Sequence, residues 1–158
     1  MYDDILVPTD GSAGMQRIID HATSLARKHE ATLHGLYVVD TASWTGLPME
    51  SSFEGVGEAL RDEGETALRE LETRPDSVPV ETEIRDGSPA RQIVDFAAES
   101  GCDLIVMGTH GRAGVDRLLL GSVAERVVRS ATVPVMTVRV SGSQDEQATD
   151  QDQRESES

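Results

Sequence analysis

Apolar residues follow two alternating rhythms along this chain: short unbroken aliphatic runs, and longer stretches in which they recur three and four apart. The first rhythm predicts buried strands and the second amphipathic helices. Ile5 to Pro8 is an aliphatic run that stops at Thr9-Asp10-Gly11-Ser12, a cluster of turn and helix-cap residues. A strand should end there and a helix begin. Met15, Ile18, Ile19, Ala22, Leu25 and Ala26 mark that helix, over about 15 residues. Thr32 to Val39 reads as a second buried strand, and Asp40 to Ser52, holding Trp44, Gly46 and Pro48, as a long loop of the kind that often carries function.

Phe53, Val56, Leu60, Ala67, Leu68 and Leu71 mark a second helix in spite of Gly57 and Gly64. Val78, Val80, Thr82 and Ile84 alternate with polar neighbours and Pro79, as in a half-exposed edge strand. Ser88 and Pro89 have the form of an N-cap and first helical residue, with Ile93, Val94, Ala97 and Ala98 as the apolar face and Gly101 as the stop. Leu104 to Met107 has no polar interruption, which places it inside a sheet and buried on both faces. A glycine-rich loop, a helix over Ser122 to Arg129 and a fifth strand over Val133 to Val140 complete the order. Regular β-α alternation predicts a parallel sheet wrapped on both faces, with right-handed crossovers. Residues 1–140 are expected to form one domain, and 141–158, rich in Ser, Gln, Asp and Glu, an acidic disordered tail.

Charge narrows the classes of partner. Acidic residues number 29 against 14 basic ones, a net charge of −15, so a polyanion such as nucleic acid or an anionic membrane surface would be repelled. Lys28 is the only lysine, a bias that resembles proteins of organisms with molar salt in their cytoplasm, where the Debye length falls to about 3 Å. The opening Met-Tyr-Asp-Asp is unlike a signal peptide, and no apolar run suits a membrane span. Cys102 is alone, and no Cys/His cluster has metal-ligand spacing. A cytoplasmic protein is expected.

The segment richest in chemistry runs from Gly108 to Ser122 and includes Gly111, Gly114 and Gly121. It leaves a buried strand and enters a helix, so its glycines let backbone N–H groups approach an anion. Ser122 and Glu125 have the spacing of a capping box, which predicts a helix start directly after Gly121 and a dipole suited to phosphate. Arg112 and Arg117 add positive charge. The alternative for this segment is structural: glycines that only turn, a serine that only caps, arginines paired with surface acids. No G-x-x-x-x-G-K-[ST] occurs, nor a G-x-G-x-x-G after the first strand. His110 is within reach of a phosphate, but no acid or nucleophile at fixed spacing accompanies it, and solvent exposure is expected. Cys102 is expected to be buried between helix and strand.

Gly108, Gly111, Gly121 and Ser122 match without a gap the pattern Gly, two residues, Gly, nine residues, Gly, Ser or Thr. In this the chain resembles the ATP-binding branch of the universal stress protein family. The likeness extends to Ile5-Leu-Val-Pro-Thr-Asp10-Gly-Ser12, Leu36-Tyr-Val-Val-Asp40, Gly87-Ser-Pro-Ala90 and Asp103-Leu-Ile-Val-Met-Gly108. It implies a Rossmann-like, doubly wound five-stranded parallel sheet of the adenine nucleotide alpha hydrolase-like kind, in the order 3-2-1-4-5. By that resemblance Pro8, Thr9 and Asp10 lie near base and ribose, and Val38 meets adenine unless it is simply core. Met107 and Gly108 border ribose and phosphates, with Gly111, Arg112, Gly121, Ser122, Val123 and Ala124 around the phosphate chain.

The implied ligand is ATP, ADP or AMP, with Mg2+ left open, and the implied assembly is a homodimer through Val135, Met136, Val138 and Val140. No general base, metal-binding carboxylate pair or catalytic lysine is evident near the loop, so the nucleotide is expected to act as an effector with at most slow hydrolysis. The rivals are a nucleotide-free interaction module of the same fold and a hydrolase or nucleotidyl-transfer enzyme. Gly121→Val is expected to lose binding with the fold intact, by crowding phosphates and opposing a positive φ.

Overall fold

The elements follow the predicted alternation: β1 (Asp4–Thr9), α1 (Met15–His29), β2 (Thr32–Asp40), α2 (Glu50–Thr73), β3 (Val80–Gly87), α3 (Pro89–Glu99), β4 (Leu104–Gly108), α4 (Ser122–Ser130) and β5 (Val135–Val138). The computed structural model describes residues 1–42, 50–110 and 120–140, with the side chains of α2 from residue 55 onward. Trp44, Gly111, Arg112, Gly114, Arg117 and the acidic segment 141–158 lie outside the described residues.

All five strands are parallel, in the order β3-β2-β1-β4-β5. The period of two along each strand divides the core between the faces. Ile5 and Val7 of β1 pack with Leu33, Leu104, Val106 and the α1 stripe Met15, Ile18, Ile19, Ala22 and Ala26, and with Leu71 of α2. Leu6, Leu36, Ile105 and Met107 point the other way, against Ile93, Phe96 and Ala97 of α3 and Ala124 and Val127 of α4. With each large aliphatic side chain worth about 1.5–3 kcal/mol when fully buried, these two clusters hold the sheet between its helix layers.

Three elements depart from their predicted bounds, and one end falls where expected. The Thr9–Ser12 cluster closes β1 with a turn rather than capping a helix: Ser12 N–H donates to Asp10 Oδ1 (2.9 Å) and Gly11 N–H to Thr9 Oγ1 (3.2 Å), and α1 begins only after Gly14. These short side chains offer the backbone a local partner that competes with a helical turn. α2 already includes Glu50, inside the stretch Asp40 to Ser52 that was expected to be loop. β5 covers Val135 to Val138 instead of Val133 to Val140, with Pro134 immediately before it and unable to donate to the ladder. Gly101 ends α3 as predicted, at φ +67°, while Cys102 N–H donates to Ala97 O (2.9 Å) in a Schellman closure.

One pairing detail opens the molecule. β1 and β2 stay in register through Thr9↔Tyr37, but β1 and β4 pair only at Ile5↔Leu104 and Leu6↔Ile105. Pro8, with no N–H to give, lies beyond the point where that second ladder stops. β1 and β4 therefore part at their carboxyl ends, where the winding reverses between β2 on one side and β4 on the other.

Candidate functional site

A cleft of about 530 Å³ occupies that parting, within the range typical of small-molecule sites and at the position expected for ligands of doubly wound sheets. Each wall is a strand end or the helix that follows it. β1 contributes Pro8 and Thr9, with Asp10 just beyond; β2 contributes Val38 to Asp40; β4 contributes Met107 and Gly108; and α4 with its N-cap contributes Gly121, Ser122, Val123 and Ala124. Ten of the twelve expected contact residues thus line one cavity; the other two, Gly111 and Arg112, lie outside the described residues.

The two ends of the cleft differ in chemistry. Towards β2 and α2 the walls include Leu36, Tyr37, Val38, Val39 and Leu60, a surface fit for a flat apolar ring. Towards α4 the donors are backbone groups. The first intrahelical bond is Glu125 N–H to Gly121 O (2.9 Å), so helix geometry leaves the amides of Ser122, Val123 and Ala124 without an intrahelical acceptor. With the helix dipole behind them they suit an anion. Among the described lining residues there is no Lys or Arg.

The capping box is not formed. Gly121 is the N-cap and Ser122 the first helical residue, so the pair is one position out of phase; no side chain caps the helix, and Glu125 pairs instead with Arg129. The helix start nevertheless falls directly after Gly121, as predicted. Gly121 has φ −61° and ψ 158°, open to any residue, which removes the backbone-strain part of the Gly121→Val expectation. Space at Gly108 is tight: a Cβ there would meet Ile18 Cδ1 at 2.9 Å and the His110 carbonyl oxygen at 3.2 Å.

Thr109 and His110 also line the cleft. Thr109 N–H donates to Val138 O (3.0 Å), its carbonyl accepts from Gly121 N–H (2.7 Å), and its hydroxyl lies 3.1 Å from His110 Nδ1. His110 is half-buried rather than exposed, and its Nε2 atom is buried with no hydrogen-bond partner among the described residues. Met15, Ile18, Tyr37, Asp40, Leu60, Pro89 and Ile93 also line the cleft. The rule that singled out the end of β1 applies equally to the end of β2, and would have found Tyr37 and Asp40; nothing in the sequence marks Leu60.

Among the described residues no group of three or more His, Cys, Asp and Glu could hold a metal ion, and no helix is long and apolar enough to cross a membrane. Cys102 is buried, its thiol pushed up to about 12 by desolvation and then by the nearby Asp4 and Asp103 carboxylates, and it does not line the cleft. Of the four β5-region residues expected to leave an apolar edge, Val138 is buried and Val140 packs on the core, because both face α1 and its preceding loop; Met136 stays exposed.

Known proteins share both sequence and fold with this chain. Universal stress protein MJ0531 of Methanocaldococcus jannaschii is 43% identical over 141 residues, covering 88% of this chain and 83% of its own length. The solved structure of universal stress protein UspA from Lactobacillus plantarum superimposes with a TM-score of 0.75 at 31% identity, covering 87% of this chain and 98% of that one. A universal stress protein crystallised in complex with cAMP matches at a TM-score of 0.59 and 26% identity, over 89% of this chain and 98% of that one. Residues 1–139 match the Universal stress protein family throughout, and with the sheet order and the cleft in place the chain belongs to that family.

Proposed function

We propose that the chain holds an adenine nucleotide, ATP foremost, in the cleft at the carboxyl ends of β1, β2 and β4, and that the nucleotide acts as an effector in stress response or signalling. The observation that carries this is the convergence of Pro8, Thr9, Asp10, Val38, Met107, Gly108 and the start of α4 on one cavity, apolar at one end and rich in free amides at the other. The purine would rest against Val38 and its neighbours, and the phosphates against the amides of Ser122, Val123 and Ala124. The cAMP complex of a related family member supports the same ligand class.

The test is direct. The protein is purified at high salt and denatured, released nucleotide is identified by chromatography, and the stripped protein is titrated calorimetrically with ATP and with adenosine. Retention or saturable binding is expected. Gly121→Val should weaken ATP binding by at least about tenfold, since one or more amide contacts are lost to crowding. Its thermal midpoint should be kept, because the backbone there accepts valine. If the wild type neither carries nor binds an adenine nucleotide, the proposal fails.

The open backbone edge of β5, with Met136 exposed upon it, supports pairing of two copies along that strand. A monomer in sedimentation at working salt overturns this second proposal.

A further inference from the structure

Val140 does not line the cleft, yet it is wedged between two of the elements that do. A Cβ at Gly14, the N-cap of α1, would overlap Val140 Cγ1 and lie 3.0 Å from Val140 Cβ, so the valine is pressed against bare backbone at the start of the helix. Its other methyl, Cγ2, would be 3.5 Å from a Cβ at Gly108, the last residue of β4. The side chain is half-buried and packs on the cluster that includes Met15, Ile18 and Val138. Met15 and Ile18 line the cleft from α1, Asp10 from the turn before it and Gly108 from β4. A side chain branched at Cβ has little rotameric freedom with which to yield, so its two methyls fix the spacing of what they touch. Gly14 has φ −73° and ψ −9°, open to any residue; it is the Val140 contact that asks for glycine there.

We propose that Val140 is a positioning residue of the cleft: its two methyls set the gap between the start of α1, with the Thr9–Ser12 turn before it, and the end of β4, and so hold the middle of the site ready for ligand. The inference rests on the nucleotide reading above and adds a residue that itself meets no ligand. In the sheet order β1 lies between β2 and β4, so the carboxyl ends of β1 and β4 fall between the apolar end of the cleft at β2 and the amides of α4. A nucleotide spanning those ends would leave its sugar in this middle stretch. The Thr9–Ser12 turn is closed on itself by Gly11 N–H to Thr9 Oγ1 and Ser12 N–H to Asp10 Oδ1. Without the wedge it is free to shift as a unit into the vacated space. Ligand would then have to restore the gap on binding, and that ordering is lost from the affinity.

The stripped wild type, Val140→Ala and Val140→Thr are titrated with ATP and with adenosine at one pH and salt concentration, and their thermal midpoints are recorded. Threonine keeps both branches but sets a hydroxyl among apolar neighbours, so it lowers stability while keeping the shape. Val140→Ala is expected to weaken ATP and adenosine by the same factor, about 3- to 10-fold, because the gap it loosens lies at the part the two ligands share. Val140→Thr should stay within about twofold of the wild type for both ligands although its midpoint falls. Gly14→Ala should also weaken both. The double variant Gly14→Ala/Val140→Ala should bind better than Gly14→Ala alone, because removing Cγ1 relieves the overlap and leaves the Val140 Cβ position at 3.0 Å.

Binding unchanged in Val140→Ala overturns the inference while leaving the nucleotide reading intact. Val140→Thr as damaging as Val140→Ala overturns it too, since apolar burial rather than shape would then be at stake. So does a loss confined to ATP, which would move the effect to the amides of α4. Gly14→Ala that binds like the wild type, or a double variant no better than Gly14→Ala, overturns it without recourse to the single Val140 variants. A wild type that binds no adenine nucleotide ends both.

Discussion

Gly64 sits inside a helix, where glycine costs about 1 kcal/mol relative to alanine, and the structure shows what it allows. A Cβ at Gly64 would lie 2.5 Å from Tyr37 Cδ1, so the missing side chain lets the Tyr37 ring lie directly on α2. Tyr37 is 5% exposed and lines the cleft. Gly64→Ala is accordingly expected to destabilise by about 1–2 kcal/mol in urea unfolding, overpacking of about 1–3 kcal/mol outweighing the helical gain. It should also weaken adenosine binding, because the displaced residue lines the cleft. A stabilised variant with unchanged binding would show that the ring has room elsewhere. Gly64 was visible in the sequence only as a blemish in a helical pattern, because its reason lies on another element.

The elements were the most legible level. Apolar spacing located each helix and strand of the described residues, since a 3.6-residue or two-residue period is imposed by burial on one face and survives any detail of the ends. The ends were less legible, because short polar side chains have several backbone partners within reach. Asp10 closes a local turn instead of capping α1, and Ser122 stands inside α4 instead of before it. The cleft was legible at β1, β4 and α4, where unusual residues mark the strand ends; the orphaned nitrogen of His110 depends on contacts that spacing does not encode. One helix end remains improvable. α1 closes on Glu30 in the left-handed region, φ 56° and ψ 42°, with Ala31 N–H on Ala26 O (2.9 Å). A non-glycine residue there costs about 1 kcal/mol or more. Glu30→Gly should raise stability by about 0.5–1 kcal/mol, the strain relieved exceeding the added freedom of the unfolded chain, with the midpoint of urea unfolding as the measure.

Over the whole molecule, charge sets the conditions in which the fold is firm. Five of the ten described arginines are in ion pairs: Arg74 with Asp20, Arg85 with Glu83 and Glu99, Arg61 with Asp86, Arg91 with Asp95 and Arg129 with Glu125. The Arg74 hydrogen bond holds the Asp20 carboxyl below its ordinary value, so this pair's small contribution is present at neutral pH and lost as pH falls through the lowered value. Exposed pairs of this sort are each worth about 0–1 kcal/mol, and salt weakens them. With 29 acidic residues and 14 basic ones, the acids in excess repel one another. Screening of that repulsion should win, and the thermal midpoint is expected to rise by on the order of 5 °C between 0.1 M and 2 M potassium chloride. A midpoint that falls over this range would mean that the ion pairs dominate.

The hydrogen bond from Gly121 N–H to the Thr109 carbonyl joins the two stems of the glycine segment across a single 2.7 Å span. Stems pinned in this way tie the end of β4 directly to the start of α4. A displacement of either stem is therefore passed to the other, on both sides of the cleft mouth.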